Sequence, residues 1–310
     1  MDIVRTPDER FADLPGYGFA PHYAKIPSGT GQTLRVHYLD EGPPDADPIL
    51  LMHGEPSWSY LYRHMIGPLV AHGHRVVAPD LVGFGRSDKP TATGDYTYAR
   101  HINWMSALLF DTLELRRITF FGQDWGGLIG LRLVTAHPER FDRVIVANTG
   151  LPTGEFPLGD AFAAWQKFSQ EVPDLPVGAI VNGGCTTDLP ADVIAAYDAP
   201  FPDDSFKAGA RVFPTLVPTT TDDPESAANI DAWAELATFD KPLLTCFSDQ
   251  DPITRGGEQL FTTKVPGAQG QPHTTITGGG HFLQEDRGAE LAEVITEFIA
   301  ATPVAGRAGR

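Results

Sequence analysis

The stretch Ile118-Thr119-Phe120-Phe121-Gly122-Gln123-Asp124-Trp125-Gly126-Gly127 holds the residues best placed for covalent chemistry. An apolar run ends in Gly-x-Asp-x-Gly-Gly and leads into a helix-like segment. This is the form of a nucleophile elbow, a sharp strand-to-helix turn that lifts one side chain above a sheet and is usually written around serine. Here Asp124 takes the nucleophile's place. Gly122 and Gly126 relieve crowding at the turn, and Gly126 with Gly127 let the new helix pass close to the strand. A glycine-rich turn that cradles phosphate needs its glycines at other spacings and has no use for a carboxylate at the tip. A carboxylate is already a nucleophile and can displace a leaving group at saturated carbon, whereas a serine attacks acyl carbon and needs a base first. The product is an alkyl ester on Asp124. Its hydrolysis calls for a base that activates water and for donors that receive the charge developing on the carboxylate oxygen.

Those partners are sought after the other strands. His281, in Gly278-Gly279-Gly280-His281-Phe282, follows the last apolar run and completes the chain order nucleophile, acid, histidine. It is the expected base among ten histidines. The acid that holds the imidazole tautomer is expected after Leu243 to Phe247, where Asp249 and Asp251 both occur; Asp251, followed by Pro252-Ile253, is favoured, and Asp249 is read as shaping the turn. The alternative place for an acid, after Val144 to Ala147, is filled by Asn148. The oxyanion hole is expected from the backbone N–H of Trp125 and of Glu55, the latter in His53-Gly54-Glu55-Pro56. The Glu55 side chain is either a solvated turn acid or a carboxylate beside the nucleophile that orients the attacking water or is tied up structurally. His53 is read as a support for its loop.

Positioning such groups takes a sheet. Apolar runs at Leu34 to Leu39, Ile49 to Met52, Arg75 to Ala78, Ile118 to Phe121, Val144 to Ala147, Leu243 to Phe247 and Thr274 to Ile276 read as strands. They alternate with helix-like stretches at Tyr98 to Leu113, Trp125 to Ala136 and Glu290 to Ala300. That alternation predicts an α/β fold with a mostly parallel sheet and helices on both faces. From Leu151 to Glu225 it stops, giving way to prolines and the helical pieces Asp160 to Gln170 and Asp192 to Tyr197. The expected organisation is a core of residues 1–150 and 226–310 with a helical cap, 151–225, inserted into it.

Composition limits the partners. The chain of 310 residues carries 23 Lys and Arg against 40 Asp and Glu, a formal charge of −17, which opposes binding to phosphate backbones or anionic lipid. Cys185 and Cys246 are too few for a disulfide framework and lack companions for a metal site, so a reducing cytoplasm is expected. The opening residues do not read as a secretory signal, and no stretch approaches the roughly 18 apolar residues of a membrane span.

At the level of whole motifs the chain resembles the haloalkane dehalogenases of the α/β-hydrolase superfamily. The resemblance is carried by Arg5-Thr6-Pro7-Asp8-Glu9-Arg10-Phe11, His37-Tyr38-Leu39-Asp40-Glu41-Gly42, His53-Gly54-Glu55-Pro56-Ser57-Trp58-Ser59-Tyr60-Leu61-Tyr62-Arg63, Gly83-Phe84-Gly85-Arg86-Ser87-Asp88-Lys89-Pro90, Ala199-Pro200-Phe201-Pro202-Asp203 and Gly280-His281-Phe282. The Gly-Phe-Gly-Arg-Ser and Asp-Trp-Gly-Gly elements are shared with epoxide hydrolases. The long run from His53 and the segment from Ala199 resemble the subfamily with an Asp-His-Asp triad and two halide-binding tryptophans. The resemblance implies Trp125 as one halide ligand and a cap tryptophan as the other, and Trp165 is the one tryptophan between Leu151 and Glu225. It also implies haloalkane and water as substrates, halide and a primary alcohol as products, and no cofactor or metal; the oligomeric state is left open between a monomer and a homodimer. An epoxide hydrolase would need two cap tyrosines, and that segment has one, Tyr197. A fluoroacetate-type enzyme would need arginines beside the nucleophile, where Trp125 stands. A noncatalytic protein on this scaffold would be expected to have lost the nucleophile or the histidine.

Overall fold

Each apolar run folds as a strand, and the central ones are covered on both faces. The computed structural model describes residues 1–304. Its strands are β1 (Ile3–Val4), β2 (His22–Pro27), β3 (Thr33–Glu41), β4 (Pro48–Met52), β5 (Arg75–Pro79), β6 (Lys89–Pro90), β7 (Ile118–Gln123), β8 (Phe141–Ala147), β9 (Leu243–Ser248) and β10 (Thr274–Ile276). β1 and β6 form a small antiparallel pair. The other eight make one sheet in the order β10-β9-β8-β7-β4-β5-β3-β2. It is parallel except for β3, which runs against both β2 and β5. Every residue of β4, β7 and β9 is buried, as strands sandwiched between helical layers must be. β2 was not expected. Ala24 and Ile26 point inward while Lys25 is exposed, an alternating pattern on a sheet edge that carries a lysine and a proline.

The helices are α1 (Arg63–Ala71), α2 (Tyr98–Ser106), α3 (Trp125–Ala136), α4 (Asp160–Glu171), α5 (Val177–Gly183), α6 (Ala191–Asp198), α7 (Ala208–Val212), α8 (Ser226–Leu236), α9 (Glu258–Lys264) and α10 (Leu283–Ala301). The single helix expected from Tyr98 to Leu113 is in fact α2 followed by a π-helical turn, Ala107–Thr112. The wider turn lets Leu108, Leu109 and Phe110, three consecutive apolar residues, all be buried. The helix expected at Glu290 to Ala300 begins earlier, at Leu283, and is bent at Arg287, whose φ is −142°. Residues 305–310, assigned to the core from the sequence, lie outside the described residues.

Two features of this topology create a site. The chain leaves β4 toward β5 on one side and returns to β7 on the other, so the loops after β4 and β7 diverge and open a crevice at the carboxyl ends of the strands. Between β8 and β9 the helices α4 to α7 intervene before α8. Family-like segments distant in sequence hold this excursion in place: Thr6 donates to the Pro200 carbonyl at 2.6 Å, Arg10 to Ala199 at 2.7 Å and the Trp58 indole to Ala196 at 3.3 Å. At the first turn of α10, buried Glu285 accepts a bidentate pair from Arg63 and a hydrogen bond from Tyr197 of α6. No helix among the described residues is long and apolar enough to cross a membrane.

Candidate active site

Asp124 sits at the end of β7 with φ 51° and ψ −130°, a backbone conformation that costs a non-glycine residue about 1–3 kcal/mol and persists only where its surroundings enforce it. They do so through the backbone. The Asp124 N–H donates to Asn148 O at 3.0 Å, and its carbonyl accepts from the Gly127 N–H, the Leu128 N–H and the Thr149 hydroxyl. The first turn of α3 presses so closely on β4 that a Cβ at Gly126 would lie 1.9 Å from the Met52 carbonyl oxygen. A Cβ at Gly54 would lie 2.1 Å from Oδ1 of Asp124, so the loop after β4 reaches Asp124 only because residue 54 is glycine.

That close approach places the Glu55 N–H 2.7 Å from Asp124 Oδ1. The Trp125 N–H, the other expected oxyanion donor, bonds to neither carboxylate oxygen in this structure. His53 braces the loop as expected, its Nδ1 paired with Gly54 O and its Nε2 accepting from the Leu81 N–H, each at 2.9 Å. Accepting at Nε2 makes Nδ1 the protonated nitrogen. The Glu55 carboxyl is neither a solvated turn acid nor paired: it is 4% exposed, borders the cavity, and its Oε1 has no partner among the described residues. Burial and the nearby Asp124 charge raise it well above the usual carboxylate range.

His281 follows β10 and brings Nε2 to 3.5 Å from Asp124 Oδ2, while Nδ1 lies 3.0 Å from Asp251 Oδ2. Asp251 is fully buried and also accepts from the Ile253 N–H and the Thr254 hydroxyl. Burial alone would raise its carboxyl, but the His281 charge and these donors bring it down to about 2. Burial likewise opposes a charged imidazole at His281, and Asp251 together with Asp124 outweighs it, raising the ring to about 10. Asp249 instead accepts from the Gly278 N–H at 2.7 Å and shapes the turn before the histidine.

Residues passed over at the level of sequence hold this arrangement together. The Asn148 amide donates to Ser248 Oγ, Gly280 O and His281 O at 2.8, 2.9 and 3.1 Å, and Gln123 donates to His281 O at 3.0 Å. Asn148 was noted only as a place where an acid is missing; its position at the end of a central strand, next to the site, was the available signal.

Asp124 and His281 open onto a cavity of about 990 Å³ bordered by Trp125, Leu128, Phe162, Trp165, Phe168 and Phe282. Pro214 also borders it, whereas Phe213 is fully buried against the Trp125 ring at 4.6 Å. The five tryptophans divide by what their indole N–H does. Those of Trp58, Trp104 and Trp233 donate to the carbonyls of Ala196, Ser28 and Leu151. Trp125, Trp165 and Trp233 all border the cavity, and of these the indole N–H groups of Trp125 and Trp165 have no acceptor among the described residues. Tyr197 does not border the cavity; its hydroxyl is taken up by Glu285.

The α/β hydrolase fold family matches residues 47–287 of the chain. The chain is 58% identical over 303 residues to a haloalkane dehalogenase of Psychrobacter cryohalolentis, covering 98% of this chain and 100% of that one. It is 52% identical over 298 residues to a haloalkane dehalogenase of Mycobacterium marinum, covering 96% and 100%. In three dimensions it matches the tetrameric structure of haloalkane dehalogenase DpaA from Paraglaciecola agarilytica NO2 with a TM-score of 0.88 and 36% identity, over 97% of this chain and 99% of that one. An aspartate at the tip of a strand-to-helix turn, a histidine beside it backed by a buried acid, and relatives of this similarity over nearly the whole length lead to one assignment: the chain belongs to the haloalkane dehalogenases, hydrolases of the α/β-hydrolase fold that act on carbon–halide bonds.

Proposed function

We propose that Asp124 attacks the halogen-bearing sp³ carbon of a haloalkane, expels halide and becomes an alkyl ester, and that His281, held by Asp251, then takes a proton from water so that hydroxide attacks the ester carbonyl and releases a primary alcohol. The observation that carries this reading is the pair of unused indole N–H groups, on Trp125 and Trp165, in an apolar cavity that also exposes the Asp124 carboxylate. Two neutral donors solvate a departing halide without a cation that would trap it. The Glu55 N–H, already on Asp124 Oδ1, would hold the oxyanion, joined by the Trp125 N–H as the carbonyl becomes tetrahedral. Residues 151–225 act as the cap that closes the cavity over the core.

The raised imidazole fits this order of events. In the resting enzyme two carboxylates favour imidazolium, which is no base. Esterification removes the Asp124 charge, and with it one of the two influences that hold the proton, so the ring becomes a base after the ester has formed. We read the enzyme as a cytoplasmic monomer or homodimer, in keeping with two free cysteines, and sedimentation velocity discriminates that from a tetramer like the Paraglaciecola relative.

The test is a pair of variants. Asp124→Asn is expected to release no halide from 1,2-dibromoethane, and His281→Phe to release one halide per site and then stall, with the alkyl group found by mass on the peptide containing Asp124. Wild-type turnover by His281→Phe would overturn the mechanism.

A further inference from the structure

The loop that carries His281 is fastened on two sides. Toward the sheet it is held by the Asn148 and Gln123 amides. On its other side one carboxylate, Asp286 in the first turn of α10, accepts from the Gly280 N–H at 2.8 Å, directly before the histidine. The same carboxylate accepts from the N–H groups of Thr186 and Thr187 at 3.0 Å and from the Thr187 hydroxyl at 2.5 Å, all in the loop between α5 and α6. The seam continues around it. Thr186 Oγ1 donates to Gly278 O at 2.7 Å, the Phe282 N–H donates to Gly184 O at 3.3 Å, and a Cβ at Gly280 would lie 2.4 Å from Gly184 O. The loop between α5 and α6 and the base loop are therefore in backbone contact, with Asp286 as the shared anchor.

We propose that Asp286 is a positioning residue that sets the place of the His281 imidazole by tying its loop to the helical segment over the cavity, and that it acts on ester hydrolysis and not on halide displacement. The division follows from the geometry and rests on the mechanism proposed above. Displacement of halide uses Asp124, Trp125 and Trp165, none of which touches Asp286. Hydrolysis depends on where His281 Nε2 stands relative to the ester carbonyl, and a misplacement on the order of 1 Å costs about a hundredfold in rate.

The experiment follows the ester itself by rapid quench and mass spectrometry with 1,2-dibromoethane. In Asp286→Ala the ester is expected to form at a rate within about twofold of wild type and to decay at least tenfold more slowly. Should this variant fold poorly, Thr187→Val removes one cap-side donor without altering the base loop; its ester is expected to decay severalfold more slowly, and Thr187→Ser to restore the wild-type decay. Slowing of formation and decay by the same factor, or decay at the wild-type rate in both Asp286→Ala and Thr187→Val, overturns the positioning role while leaving the ester mechanism in place. Absence of any ester in wild type and in His281→Phe alike overturns the mechanism and the positioning role with it.

Discussion

Replacing Asp124 by asparagine keeps the shape of the side chain and the acceptor for the Glu55 N–H while removing the charge, as esterification would. The magnitude follows from the structure. His281 Nε2 and Asp124 Oδ2 are 3.5 Å apart, which at an effective dielectric near 20 corresponds to about 5 kcal/mol between unit charges. The Asp124 side chain is 23% exposed, and solvent screening brings this to about 4 kcal/mol, roughly a thousandfold in proton affinity. The imidazole, raised to about 10 in the resting enzyme, is therefore expected to fall to about 7 in Asp124→Asn, where it can serve as a base at neutral pH. The sign is fixed by the charges: removing an anion destabilises the imidazolium and lowers the pKa. Titration of ¹⁵N-labelled histidine side chains by NMR measures both proteins, with the His281 resonances recognised by their disappearance in His281→Phe. An Asp124→Asn ring that stays protonated above pH 9 would refute the reasoning, because the ester would then fail to release the base.

Two further predictions concern what holds the site in shape. Gly126→Ala forces a methyl group to within 1.9 Å of the Met52 carbonyl and is expected to cost roughly 3 kcal/mol in urea unfolding, with loss of halide release; a cost below about 1 kcal/mol would mean that the turn of α3 onto β4 is not tightly packed. Glu285→Gln leaves the buried Arg63 guanidinium without its counter-charge and is expected to lower stability by about 3–5 kcal/mol, read from the urea midpoint, and an unchanged midpoint would show that the pair is not what holds α1, α6 and α10 together.

The elements legible in the sequence are those whose local pattern and tertiary role agree. β4, β7 and β9 are buried on both faces, so an apolar run suffices to mark them. α3 was bounded correctly because the glycines at its start and His137-Pro138 after its end delimit it. β2 escaped notice because only every second residue is buried. α1 escaped because Pro68 interrupts its pattern, yet this residue sits in a helix stabilised by packing against α10. The π-helical turn after α2 has no local signature, since it follows from where the core lies relative to three consecutive apolar residues.

For the site, Asp124, His281 and the pair of candidates Asp251 and Asp249 could be nominated from the sequence, because strand ends, glycine turns and residue type suffice for that; that Asp251 is the one beside His281 is seen in the fold. Which tryptophan N–H groups are free and that the Glu55 carboxyl is buried without a partner among the described residues, together with the facts that Asn148 braces the His281 loop and that Asp286 joins it to the helices above, were decided only in three dimensions. The physical reason is common to all four: each depends on which polar groups meet after chain segments far apart in sequence have come together, as Asp286 and Thr187 do across 99 positions. A side chain's chemistry is a local property, but whether its hydrogen bonds are already satisfied belongs to the packed whole.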